Sequence, residues 1–186
     1  AMARASYDVA DTIDQFIATM YSEAGITNTT NMGSSSSPIS VSSGNVINVI
    51  SYAARYMSEK NVPAANRVII LPPWVHQKLL LAEVGGISAS AYPKVFDDGA
   101  LVNGFIGQAL GFQILVSNNV QSSASSVSAV MALDRSAISY AGQISKVEAV
   151  KRESYFDEGV KGLYVYGAKV VRPDALAVLH LTEVAG

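Results

Sequence analysis

The 186-residue chain contains no cysteine. That excludes a disulfide framework, a thiolate metal site and a cysteine nucleophile, and leaves the redox compartment open. Charge is scarce too. Asp, Glu, Lys and Arg make up 15% of the residues, against about 25% in an average soluble domain. A surface so poor in charge points toward protein rather than water as part of its surroundings, although Ser and Gly account for much of the deficit. The 13 basic and 15 acidic residues leave a formal charge of -2. The basic surface needed for sequence-independent nucleic-acid binding is therefore missing. No apolar run approaches the length of about 18 residues that a membrane-spanning helix needs, and no secretory leader pattern is visible.

What the chain does have is a 49% hydrophobic composition, enough for one buried core and a smaller subdomain. Residues 4–24 read as an amphipathic helix, with Val9, Ile13, Phe16, Ile17 and Met20 at steps of three and four. The helical pattern starts almost at the first residue, which reads as a piece of a longer protein. Residues 25–44 lack periodicity and are dominated by Gly, Ser, Thr and Asn. They predict a mobile linker, loosest at Ser34 to Ser37. A second helix restarts with Ser42 or Ser43 as its N-cap and buries Val46, Val49, Ile50, Ala53 and Met57. A β-branched strand at 67–72 runs into a helix led by Pro73 and extending to about Val84. Later segments predict strands at 112–117, within 128–141, and at 146–154, 162–171 and 175–181, with a Ser-rich turn at 121–126. Arg172-Pro173-Asp174 separates the last two strands, because Pro interrupts a ladder.

Signs of catalytic chemistry are thin. The stretch GFIGQALGFQILVSNN (104–119) spaces its glycines as G-x-x-G-x-x-x-G ahead of a strand. A dinucleotide fingerprint needs G-x-G-x-x-G between a strand and a helix, and a P-loop needs a Lys-Ser or Lys-Thr. Close-packed backbone at a turn is the better reading. The two histidines, His76 and His180, have no carboxylate nearby in sequence, and no G-x-S-x-G elbow is present. No metal-ligand spacing exists, and no cofactor is expected. Asp97-Asp98 and Asp157-Glu158 each precede a Gly, which is ordinary turn chemistry. One cluster stands apart. Lys146, Glu148, Lys151, Arg152, Glu153, Asp157, Glu158 and Lys161 place mixed charge on one short segment. It reads either as a solvated strand face or as a subunit interface whose register is set by complementary charges.

The order of these segments resembles the major capsid proteins of tailed bacteriophages, which share the Hong Kong 97 fold. The likeness is carried by ALGFQILVSNNV (109–120), with its Leu-Gly-aromatic step, short β run and Ser-Asn end. Before it stands the helix–strand–helix unit 45–83. After it come MALDRSAISYA (131–141), the charged strand 146–153 and YGAKVVRPDALAVLHL (166–181). The resemblance implies an α+β fold of the Hong Kong 97 type and a structural, non-enzymatic role. The subunit would self-assemble through pentamers and hexamers into an icosahedral shell around a phage genome, in a virion assembled in the host cytoplasm.

The resemblance also implies a division of the chain. Residues 1–38 would hold the end of a spine helix and a flexible linker, 39–134 an axial domain, 135–170 peripheral-domain strands, and 171–186 a return strand to the axial domain. The family's N-terminal arm and extended loop have no counterpart in these residues, so the chain by itself is expected to be monomeric or weakly associated. Implied partners are other copies of the chain, and scaffolding and portal proteins. No membrane and no specific nucleic-acid site are implied. An encapsulin-like nanocompartment shell shares the fold and remains the alternative. From other classes, a Ser-dependent hydrolase lacks an elbow, and a glycan-binding module would have to use Trp74 and the tyrosines.

Overall fold

The structure, a computed structural model, describes residues 2–84, 87–88, 105–124, 126–151 and 158–184. The amphipathic pattern at the start forms helix α1 (Met2–Ala18), which tightens into a 3-10 turn over Thr19–Glu23. Then come β1 (Ile39–Val41), α2 (Val46–Glu59), β2 (Arg67–Leu71) and α3 (Pro73–Leu80). Short strands β3 (Glu83–Val84) and β4 (Ile87–Ser88) precede β5 (Phe105–Ala109), β6 (Phe112–Val116), β7 (Ser122–Ala124) and β8 (Val127–Asp134). The chain then forms β9 (Ile138–Lys151), β10 (Glu158–Val170) and β11 (Leu176–Glu183).

These strands make a seven-stranded mixed sheet in the order β1-β11-β8-β2-β6-β5, with β7 beside β8. A two-stranded ribbon, β9–β10, and a small β3–β4 pair stand apart from it. The fold is α+β. Strands β8 and β11 are nearly continuous apolar runs, and most of their residues are buried, as expected for strands covered on both faces. Helix α2 packs the predicted stripe, Val46, Val49, Ile50, Ala53 and Met57, into this core, and all five are buried. Each such apolar side chain contributes about 1.5–3 kcal/mol on leaving water.

Two polar residues are buried with the core. Arg67 is 4% exposed and Asp134 5%, and the two face each other across β2 and β8. The Arg67 guanidinium donates to the carbonyls of Ala54 (3.2 Å), Pro63 (3.1 Å) and Val62, and to Ser58 Oγ (3.1 Å). It thereby ties the loop after α2 to the last turns of that helix and to β2. Burial alone would raise the Asp134 carboxyl. The hydroxyl and backbone N–H of Ser136, with Arg172 and Arg67 nearby, outweigh burial and hold it below the ordinary carboxylate range. The same Asp134–Ser136 turn separates β8 from β9.

Several sequence expectations are corrected. Residues 25–44 are not a loose linker. Ile26 forms a parallel bridge to Ala177. Its N–H donates to Leu176 O at 3.1 Å, while Val178 N–H donates to Ile26 O at 3.2 Å. His180 N–H donates to Met32 O at 2.8 Å, and β1 continues as a parallel partner of β11 over Ile39–Val41. The segment covers an edge that would otherwise present unpaired backbone groups. Met32 and Val41 are fully buried beneath it. Gly33 has φ +76, and a Cβ there would lie 2.6 Å from His180 O.

Helix α2 begins after Asn45 rather than after a serine cap. The Asn45 side chain accepts from Ser42 N–H (2.8 Å) and donates to Ser40 O (2.8 Å). Helix α3 stops at Leu80, not Val84, because Ala82 turns its N–H back to Leu79 O at 3.2 Å and buries its side chain. The Ser-rich stretch 121–126 holds β7. The glycines of 104–119 divide. Gly104 lies outside the described residues, and Gly107 falls within β5. Gly111, with Leu110, makes a two-residue hairpin turn between β5 and β6. Both residues have positive φ, +55 at Leu110 and +80 at Gly111, as a type I′ turn requires. The acidic pair Asp97-Asp98 lies outside the described residues.

Candidate assembly surface

The ribbon is the part of the molecule whose bonding is least complete. Its strands run antiparallel from Ile138↔Val170 to Lys151↔Glu158, with a register irregularity at Leu163/Tyr164. The strands are 14 and 13 residues long, about 45 Å at the usual rise per residue. Neither strand has a second neighbour among the described residues, so each leaves one edge unpaired. An isolated two-stranded hairpin is marginal in water. This one must be held by what packs on its faces.

One face meets α1 at the ribbon's root. Phe16 packs edge-on to Tyr166, centroids 5.4 Å apart, and Tyr166 stacks on Tyr164 at 6.0 Å. The Tyr164 and Tyr140 hydroxyls hydrogen-bond at 2.7 Å. That bond, with some burial and the neighbouring ring oxygens, pushes Tyr140 up to about 12. Gly142 lies beneath this crossing. A Cβ there would collide with the Tyr164 hydroxyl and lie 2.6 Å from the Tyr140 hydroxyl. Along β10, Tyr164, Tyr166 and Ala168 are half-buried and Val170 buried, while Leu163 and Val165 between them stay 55% and 56% exposed. Period-two alternation thus gives the ribbon a second face, apolar at Leu163 and Val165, that no described residue covers.

Helix α1 is similarly unfinished. Ala18 and Met20 reach the core, and Ile13 and Ile17 are half-buried, but Tyr7, Val9 and Phe16 are exposed. The helix is tied to the main sheet by polar bonds. Asn119 Nδ2 donates to Asp11 Oδ1 at 2.7 Å, and Gln15 Nε2 to Asp11 Oδ2 at 2.8 Å. A cleft of about 260 Å³ lies between helix and sheet, walled by Ile17, Leu115, Val116 and Met131. Asp14 at its rim has its carboxyl raised by burial and by Asp11.

The charged cluster maps onto the far half of the ribbon. By backbone register, Lys151 stands opposite Glu158 and Glu148 opposite Lys161, while Lys146 stands opposite Leu163. Arg152, Glu153 and Asp157 lie outside the described residues. The sequence showed mixed signs on this segment but not that four of them pair in register across its two strands.

The histidines are apart from one another in role and surroundings. His180 lies edge-on to Tyr21 at 6.2 Å. His76 Nε2 is buried without a hydrogen-bond partner among the described residues. Burial lowers the pKa of both. Trp74 is half-buried against the core and donates its Nε1–H to Ser128 Oγ at 3.3 Å. Among the described residues no group of His, Asp and Glu is placed to hold a metal ion, and no helix is long and apolar enough to cross a membrane.

Comparison with known proteins agrees with this picture of a structural subunit. Residues 1–179 match the family model described as phage capsid protein. A chain of a solved structure from Mycobacterium phage Che8 is 28% identical, with a TM-score of 0.69 over 95% of this chain and 61% of that one. A chain from the capsid structure of cyanophage P-SCSP1u is 16% identical, with a TM-score of 0.61 over 100% of this chain and 67% of that one. The present chain therefore spans about three fifths of the length of the Che8 chain. No curated protein matches it. The chain belongs to the phage capsid protein family and has the Hong Kong 97-type fold of a major capsid subunit.

Proposed function

We propose that the protein builds an icosahedral shell by associating with copies of itself as pentamers and hexamers, and that the shell encloses the phage genome. Its role is mechanical rather than catalytic. In this reading residues 39–134 and 171–186 form the axial domain. The α1 region within residues 1–38 joins the strands of 135–170 in the peripheral domain. Scaffolding and portal proteins are further partners, and assembly takes place in the host cytoplasm. The observation that carries the reading is the β9–β10 ribbon, with two unpaired edges and an exposed apolar face bearing Leu163 and Val165. Such a ribbon is completed by neighbours.

The charges at Lys146, Glu148, Lys151, Arg152, Glu153, Asp157, Glu158 and Lys161 set the register of that docking. Exposed pairs add only about 0–1 kcal/mol to a single subunit, yet across an interface they reject wrong alignments. The test is Lys151→Glu with Arg152→Glu in the full-length coat protein, read as melting temperature and as closed shells counted by electron microscopy. The expected result is an unchanged melting temperature and few shells. Adding Glu158→Lys restores the opposite-charge match within the ribbon. If that third change rescues assembly, the charges serve only the ribbon itself and the interface reading fails.

A further inference from the structure

At the Glu183 end of the main sheet, α3, the β7–β8 turn and the last residues of β11 line an open hollow of about 350 Å³. It is lined by Trp74, Ser122, Ser126, Ser128, Thr182 and Glu183. Four hydroxyls, one carboxylate and one indole ring is an unusual wall for a chain with a single tryptophan. We propose that this hollow binds one ring of a neutral sugar, as a free saccharide or as the end of a glycan.

The chemistry of the wall selects that class. The indole is held in place by its Nε1–H bond to Ser128 Oγ, and an aromatic surface favours the apolar C–H face of a ligand. Ser128 accepts that bond and keeps its own proton to donate. Ser122 Oγ spends its proton on the carbonyls of Ala124 (2.6 Å) and Val127 (3.1 Å), leaving its lone pairs as acceptors. The Ser126 and Thr182 hydroxyls have no hydrogen-bond partner among the described residues, so both can donate and accept. Glu183 lies 3.9 Å from Lys78 Nζ and is half exposed, which leaves it free to accept from neighbouring ligand hydroxyls.

An anion is disfavoured, because the carboxylate repels it and Lys78 is already beside that carboxylate. A purely hydrocarbon ligand would leave the Ser126 and Thr182 hydroxyls without a partner. A neutral polyol ring satisfies both halves of the wall, and the hollow lies within the range of about 300–1,000 Å³ usual for small-ligand sites. The site does not depend on shell assembly.

Because Trp74 is the only tryptophan, its fluorescence reads the hollow directly. The experiment titrates the chain with glucose, galactose, N-acetylglucosamine and glucuronate, with saturation-transfer NMR on each sugar as a second readout. At least one neutral sugar is expected to give a saturable change with a dissociation constant near about 1 mM. Glucuronate is expected to bind more weakly than glucose. Thr182→Val and Ser126→Ala are each expected to weaken binding about fivefold, with the unfolding midpoint unchanged. Three results would overturn the proposal. One is no emission change and no saturation transfer up to about 100 mM. Another is a linear change shared by all sugars, glucuronate included. The third is binding that both variants leave intact.

Discussion

The main sheet hides its side chains, and the β9–β10 ribbon displays them. In β11, five of eight residues are buried. In β10, Leu163, Val165, Gly167 and Lys169 are exposed, and the intervening residues are mostly half-buried. One chain thus builds strands under two regimes. The sheet gains its stability from its own helices, because α2 and the 25–44 segment cover its face and its β11 edge. Among the described residues the ribbon joins the core only at its root, through Ile138, Ala168 and Val170, and otherwise rests on α1, which itself leaves Tyr7, Val9 and Phe16 exposed. The difference teaches that the sheet buries its apolar residues within the chain, whereas the ribbon and α1 leave apolar side chains exposed, as the proposed subunit contact requires.

The largest test of that contrast is a pair of truncations. Leu179→Ala empties a fully buried site in β11 and is expected to cost about 2–5 kcal/mol. Val165→Ala, on the bare face of the ribbon, is expected to stay within about 0.5 kcal/mol of the parent. Both are read by denaturant unfolding of the single chain. Equal losses would erase the distinction. Arg67→Met comes next. It leaves the carbonyls of Val62 and Pro63 without their guanidinium donor, and removal is expected to cost about 3 kcal/mol, in the range for breaking a buried charged network. A loss below about 1 kcal/mol would mean that water replaces the guanidinium without penalty.

The covered edge gives the third test. Gly33→Ala forces a side chain into positive φ against His180 O, and about 1–3 kcal/mol of destabilisation is expected. Limited proteolysis should leave 25–44 intact in the parent and cut it first in the variant. Cleavage there in the parent would restore the mobile-linker expectation. The smallest effect has the opposite sign. Leu110 sits at φ +55 in the β5–β6 turn, a conformation that asparagine tolerates and leucine does not. Leu110→Asn is expected to raise stability by about 0.5–1 kcal/mol, and a loss would show that Leu110 packs on something useful.

Where the signal was local, the sequence was readable. The stripe of α2, Val46 to Met57, appears in the structure residue for residue. So does the order β2, Pro-led helix, β6 and final apolar strand, because 3.6-residue and two-residue periods are visible in a single segment. The 25–44 segment was misread for a physical reason. It is held by backbone hydrogen bonds to β11, which any side chain can make, and its buried residues Ile26, Met32 and Val41 follow no period. The α1 stripe was legible as a stripe, but its pattern did not say that Val9 would stay exposed or that Phe16 would pack on Tyr166 of the ribbon rather than in the main core. The charged cluster was visible as composition. That Lys151 stands opposite Glu158 and Glu148 opposite Lys161 follows from strand register, which includes an irregularity at Leu163/Tyr164 and is not visible in a single segment.

The central claim is that the ribbon is completed by neighbouring subunits while the sheet is complete by itself. Hydrogen exchange measured on the unassembled coat protein and on the closed shell tests it most directly. The account predicts that amides of β8 and β11 exchange slowly in both states, and that amides of β9 and β10 exchange fast in the free protein and slowly in the shell. Ribbon amides as slow as those of β11 in the free protein, or equally fast in both states, would contradict it.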